Sequence, residues 1–125
     1  MDWTKPTAML LGRYQPWHKG HGKLLKRALS KTGQVVILLR ASDGSSSNPY
    51  TFEQRKEKIL LDIIGKKWYN SNTIEILEVP NITNIVYGRD VGYKIEQEHF
   101  TKDIEEISAT AIRNGFTQEN NIKNN

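Results

Sequence analysis

The chain has 125 residues, no cysteine and a formal charge of +4, a length that suits one domain burying roughly two-thirds of its unfolded surface in a single core. Without cysteine there is no disulfide framework, no thiolate metal site and no thiol nucleophile, and the longest apolar run, Val35 to Leu39, falls far short of the roughly 20 residues that span a bilayer. With no apolar run at the N-terminus like that of a signal peptide, the expectation is a soluble, cytoplasmic protein with no membrane contact, whose scattered positive charge suits anionic partners such as phosphorylated metabolites.

In chain order, Thr7 to Leu11 is the first predicted strand, ending at Gly12. Leu24 with Ala28, and Leu25 with Leu29, are spaced by four, so a helix from about His18 to Lys31 can present one apolar face to a sheet. Gly33 is placed to close it in a left-handed cap. Gln34 to Leu39 is apolar and β-branched without alternation, as in a parallel strand buried on both faces. Ser, Gly and Asn crowd positions 42 to 48 and predict a loop, either a plain connector or a mobile cover over a ligand.

Thr51 followed by Gln54 is a capping-box pattern, and Phe52, Ile59, Leu60, Ile63 and Ile64 make the apolar stripe of a second helix. Thr73 to Val79 alternates as a third strand, Asn84 to Tyr87 is read as a short fourth, and Val91 to Phe100 as a helix with mixed faces. Strands alternating with helices predict an α/β fold. The domain is expected over residues 1–116, with the polar stretch 117–125 as a flexible tail.

The densest chemistry lies in Gly12-Arg13-Tyr14-Gln15-Pro16-Trp17-His18-Lys19-Gly20-His21, where the first strand passes into the first helix. In open α/β sheets ligands bind outside the carboxyl ends of the strands, and a helix N-terminus attracts phosphate. His18 and His21, three apart, share one face of the first helical turn. Gly20 lets an anion approach the backbone closely.

This run resembles the GRFQPFHxGH signature of the nucleotidylyltransferase superfamily, most nearly that of the archaeal-type nicotinamide mononucleotide (NMN) adenylyltransferases. Ile107-Ser108-Ala109-Thr110-Ala111-Ile112-Arg113 resembles the second signature, ISxTxIR, and Asn48-Pro49-Tyr50-Thr51-Phe52-Glu53-Gln54-Arg55 is similar to the NPFT-x-x-ER segment. The resemblance covers about residues 7 to 115. It implies a Rossmann-like open parallel sheet of about five strands with helices on both faces, and transfer of AMP from ATP to a small phosphorylated acceptor, best read as NMN, with Mg²⁺ held mainly by the phosphates.

By that resemblance His18, His21 and Arg113 are the catalytic candidates. Gly12, Arg13, Tyr14, Gln15, Gly20, Arg89, Ser108 and Thr110 are nucleotide-binding candidates, and Arg40, Asp43 and Arg55 weaker acceptor-binding ones. Arg55 reads equally as a solvated helix residue, and Ser108 and Thr110 as helix caps that also bind phosphate. The segment between the third strand and ISATAIR is shorter than the family leads one to expect, and it bears on the acceptor. A cytidylyltransferase using CTP and a phosphorylated alcohol or sugar, or a nucleotide sensor without turnover, are the alternatives. No stretch interleaves basic and aromatic residues as a nucleic-acid platform does, and the family's habit of assembling into dimers or rings implies a possible homo-oligomer.

Overall fold

The computed structural model describes residues 1–89 and 92–98. Its elements follow in the order β1 (Ala8–Gly12), α1 (Lys19–Thr32), β2 (Val35–Arg40), α2 (Phe52–Ile63) and β3 (Ile74–Val79). The strands form one parallel sheet in the order β1-β2-β3. Ala8, Val35 and Ile74 share one row across it, and Leu10, Ile37 and Ile76 another.

These rows carry the core. Val35, Ile37 and Leu39 are fully buried and join Leu25 and Ala28 of α1 and Ile59 and Ile63 of α2 in one cluster. Burying each of the larger aliphatic side chains contributes about 1.5–3 kcal/mol. Successive right-handed crossovers in one direction place both helices on the same face of the sheet, and α1 and α2 do touch each other. The other face alternates out of the core: Met9 and Leu77 are 48% and 40% exposed. β2 is therefore fully buried on one face and half-buried on the other, not sealed on both as its unbroken apolar run suggests. Among the described residues no helix covers that second face.

Both helix starts follow from their sequences. Thr51 accepts from the Gln54 backbone and Gln54 returns a bond to the Thr51 N–H, completing the predicted capping box of α2. α1 ends where Gly33 turns left-handed at φ +82, its N–H donating to Leu29 O at 2.7 Å. A side chain at Gly33 would carry the left-handed cost that glycine avoids.

Three of the about five expected strands are described. Asn84 to Tyr87 is described and is not a strand. A strand needs a partner for its backbone, and here Ile85 and Val86 are 61% and 88% exposed with no ladder. Nor is 92–98 helical. Gly92 takes a left-handed φ of +88 at what would be its first turn, and the mixed faces offer no apolar stripe to dock. The segment is instead held by ion pairs from Lys31 to Glu96 and Glu98, both at 3.2 Å, and from Arg27 to Glu98 at 3.5 Å. The expected boundary at residue 116 and the polar tail lie outside the described residues.

Candidate functional site

The turn between β1 and α1 folds back on the end of its own strand. Tyr14 adopts a positive φ of 49 and lays its ring over Gly12, where an added Cβ would meet the ring at 3.0 Å. Tyr14 and Trp17 are buried, with ring centroids 5.1 Å apart. His21 stands edge-on to Tyr14 at 4.8 Å and tilted against Trp17 at 5.3 Å. His18 stacks on His21 at 3.7 Å. The two histidines that the sequence places on one helical face are therefore in direct contact, on an aromatic bed at the carboxyl end of β1.

Their imidazoles also cap the helix. His18, with extended backbone, accepts the Gly20 N–H at Nδ1 (3.0 Å), and His21 Nδ1 accepts the His18 N–H (3.1 Å). This is a capping box built from two rings. A nitrogen that accepts carries no proton, so in the neutral rings the proton sits on Nε2, an assignment that follows from the hydrogen bonds. Burial lowers the proton affinity of His18. Burial, and then the neighbouring His18, push His21 down to about 3. The pair is neutral near pH 7, each ring keeping one N–H donor on Nε2. The helix terminus itself offers fewer free donors than its sequence suggests, because the Gly20 N–H is taken by His18 Nδ1 and the His21 N–H by His18 O.

A lowered folded-state pKa stabilises the protein above the unfolded value of about 6.5 and loses that contribution as pH falls toward the folded value. Between pH 6.5 and 5, His21 is therefore expected to cost on the order of 1 kcal/mol per pH unit. Urea titrations of the parent and of His21→Gln, which keeps a capping-box side chain, should show a shallower pH slope in the variant. Equal slopes would mean that His21 titrates normally.

Around the pair, Gln15 is buried, and its side chain pairs with the Tyr50 backbone in both directions, donating to Tyr50 O at 3.0 Å and accepting from Tyr50 N at 2.8 Å. This ties the β1–α1 turn to the approach of α2. Gln15→Ala is expected to lower stability by about 1–2 kcal/mol in chemical denaturation, since two part-buried backbone groups of Tyr50 lose this partner. Arg55 is not the solvated residue that its charge suggests but is 1% exposed. Its Nη1 donates to Arg13 O (3.0 Å) and Arg40 O (2.7 Å), and its Nε to Thr51 O (3.1 Å). Burial lowers its proton affinity, partly countered by the Glu78 carboxylate. Nη2 of Arg55 and Nε of Arg40 are buried without a hydrogen-bond partner among the described residues.

The remaining candidates are spread around this frame. Exposed Arg13 reaches Asn48 Oδ1 at 3.3 Å, Arg40 donates to Ile82 O at 3.2 Å, and exposed Asp43 accepts the Ser45 N–H at 2.9 Å, which holds its carboxyl below the usual range. Ser42 bonds to Asn48 O, so loop 42–48 is internally tied. Arg89 is exposed. Ser108, Thr110 and Arg113 lie outside the described residues. Two features escaped sequence reasoning: the Trp17 Nε1–H donates to Asp62 Oδ2 at 2.9 Å, and Gly22 passes so close that a Cβ there would lie 2.6 Å from the same oxygen. Among the described residues no group of three His, Asp or Glu could hold a metal ion, and no helix is long and apolar enough to cross a membrane.

The chain is similar to several known proteins. A nicotinamide-nucleotide adenylyltransferase of Pyrococcus abyssi is 31% identical over 131 residues, covering 84% of this chain and 69% of that protein. One from Sulfolobus acidocaldarius is 28% identical over 143 residues, covering 93% and 80%. One from Thermoplasma acidophilum is 34% identical over 74 residues, covering 58% of this chain and only 41% of the relative. The Pyrococcus and Sulfolobus matches run longer than this chain, so those relatives carry internal insertions with respect to it. A crystal structure of a bifunctional NMN adenylyltransferase/ADP ribose pyrophosphatase from Francisella tularensis, complexed with AMP and a manganese ion, matches with a TM-score of 0.56 and 29% identity over 62% of this chain and 23% of that one. Residues 9–109, which take in both histidines, match the cytidylyltransferase-like family, and the chain belongs to that family.

Proposed function

We propose that this protein transfers AMP from ATP to NMN and releases pyrophosphate. The observation that carries this is the stacked His18–His21 pair, held neutral with both Nδ1 atoms engaged in the cap, in a chain about 30% identical to nicotinamide-nucleotide adenylyltransferases. An acceptor phosphate oxygen attacks the α-phosphorus in line. The bond from that phosphorus to the bridging oxygen of the β-phosphate breaks, and the electron pair leaves with pyrophosphate. No covalent enzyme intermediate and no side-chain base are required, so the protein's task is to position two anions and stabilise the charge that builds between them.

In this reading the Nε2–H groups of His18 and His21 donate to phosphate oxygens at the reacting centre. As uncharged donors fixed before the reaction, they stabilise the transition state without giving up a proton. Arg13, Arg89, Ser108, Thr110 and Arg113 bind the triphosphate, and Gly12, Tyr14 and Gly20 shape its bed. Gln15 and Arg55 hold the turn in place. Arg40 and Asp43, at and just past the end of β2, face the acceptor. A divalent cation arrives on the nucleotide, held mainly by its phosphates. Mg²⁺ of that kind neutralises phosphate charge while bound, as it usually does with few protein ligands.

The test is pyrophosphate release with Mg²⁺, ATP or CTP, and a panel of NMN, phosphopantetheine, glycerol phosphate and sugar phosphates. Release with ATP and NMN alone is expected. Release only with CTP would replace the donor, and silence across the panel with ATP still bound would make the protein a nucleotide sensor.

A further inference from the structure

The Trp17–Asp62–Gly22 contact lies behind the histidines and joins three parts of the chain. Trp17 is 2% exposed in the β1–α1 turn, Asp62 stands at the end of α2, and Gly22 sits in the first turn of α1. The indole ring leans on His21 at 5.3 Å and on Tyr14 at 5.1 Å, and the Asp62 carboxylate fixes that ring through its N–H at 2.9 Å. Asp62 reaches it only because Gly22 has no side chain, since a Cβ there would stand 2.6 Å from Oδ2. His21 is held by its cap on one nitrogen and by flat ring faces elsewhere, so its orientation depends on whether those rings stay still. A buried indole N–H also needs an acceptor.

We infer that Asp62 is a positioning residue for the proposed transfer: it locks the Trp17 indole, which sets the angle of His21, and Gly22 is glycine to admit its carboxylate. This rests on the transferase reading of the same site. What it requires of Asp62 is an acceptor at that place rather than a negative charge.

The test uses the full chain with four substitutions. Asp62→Leu and Trp17→Phe each remove one half of the bond, Asp62→Asn keeps an acceptor, and Gly22→Ala pushes the carboxylate aside while leaving it in the chain. Gly22→Ala gains helix propensity but strands the buried Trp17 N–H, so it should stay folded and melt at or modestly below the parent temperature. Its kcat for pyrophosphate release should nonetheless fall roughly tenfold, as in Asp62→Leu, with the KM for ATP little changed, since small misplacements of a reacting group cost rate before binding. Asp62→Asn should retain most of the parent kcat. The double variant Asp62→Leu/Trp17→Phe should be no slower than the worse single variant.

Nuclear magnetic resonance of the imidazole and indole protons, recorded without nucleotide, should show the Trp17 N–H and the His21 ring signals moving together in Asp62→Leu and Gly22→Ala. Parent-like kcat in Gly22→Ala and Asp62→Leu overturns the inference, as does Asp62→Asn failing as badly as Asp62→Leu. If the parent itself releases no pyrophosphate with any acceptor, the transferase reading fails instead, and unmoved His21 signals in the two variants overturn the positioning role on their own.

Discussion

Replacing His21 with alanine is expected to slow pyrophosphate release by roughly a hundredfold to a thousandfold, the usual effect of deleting one preorganised donor at a centre where charge develops. The change removes three things: the Nε2–H donor, the stacking partner of His18 at 3.7 Å, and the acceptor for the His18 N–H. The last is a helix-cap loss of about 1 kcal/mol, too small to unfold a domain of ordinary stability. Circular dichroism should therefore show intact helices and a modest fall in melting temperature beside the large fall in kcat. His21→Gln, which keeps both a capping acceptor and an N–H donor, should recover part of the rate. Turnover within threefold of the parent in His21→Ala would remove the histidine from the chemistry.

Arg55→Met is expected to cost about 3 kcal/mol of folding stability, the largest such effect of any single change proposed for this chain. Deleting the guanidinium leaves the carbonyls of Arg13 and Arg40 without their donor in a site closed to water, and each buried, unpaired group costs about 1–3 kcal/mol. Removing a charge whose Nη2 has no partner among the described residues returns part of that. Lysine cannot replace the fork, because one ammonium cannot reach the Thr51, Arg13 and Arg40 carbonyls together, so Arg55→Lys should be nearly as destabilised. Urea denaturation of the two variants measures this directly. A loss below about 1 kcal/mol would show that the strand ends are held by the sheet alone and that Arg55 is free to serve a ligand.

The N-terminal frame was legible because local signals and packing agree there. The i, i+4 leucines, Gly33 and the Thr51–Gln54 box each state an element that the core then uses, and the spacing of His18 and His21 places them together by helical geometry alone. The hydrogen-bonding roles of Arg55 and Gln15 are not legible in the sequence, for a common reason. Their partners are main-chain groups of Arg13, Arg40 and Tyr50, and a carbonyl leaves no mark in a sequence. Asp62 was hidden because its partner is 45 residues away, although Gly22, an unneeded helix breaker in an otherwise good helical run, was a signal that something passes close by. The strand expected at Asn84–Tyr87 failed because a short apolar run specifies a strand only where an edge receives it.

Among the described residues, the groups that fix the two imidazoles, from Gly12 and Tyr14 through Gln15, Tyr50, Arg55 and Asp62, are all translated before β3 ends at Val79. Among the described strands each pairs with the next one made, so those pairings do not wait for distant chain. The described contacts of this cradle therefore all lie within the first two-thirds of the chain.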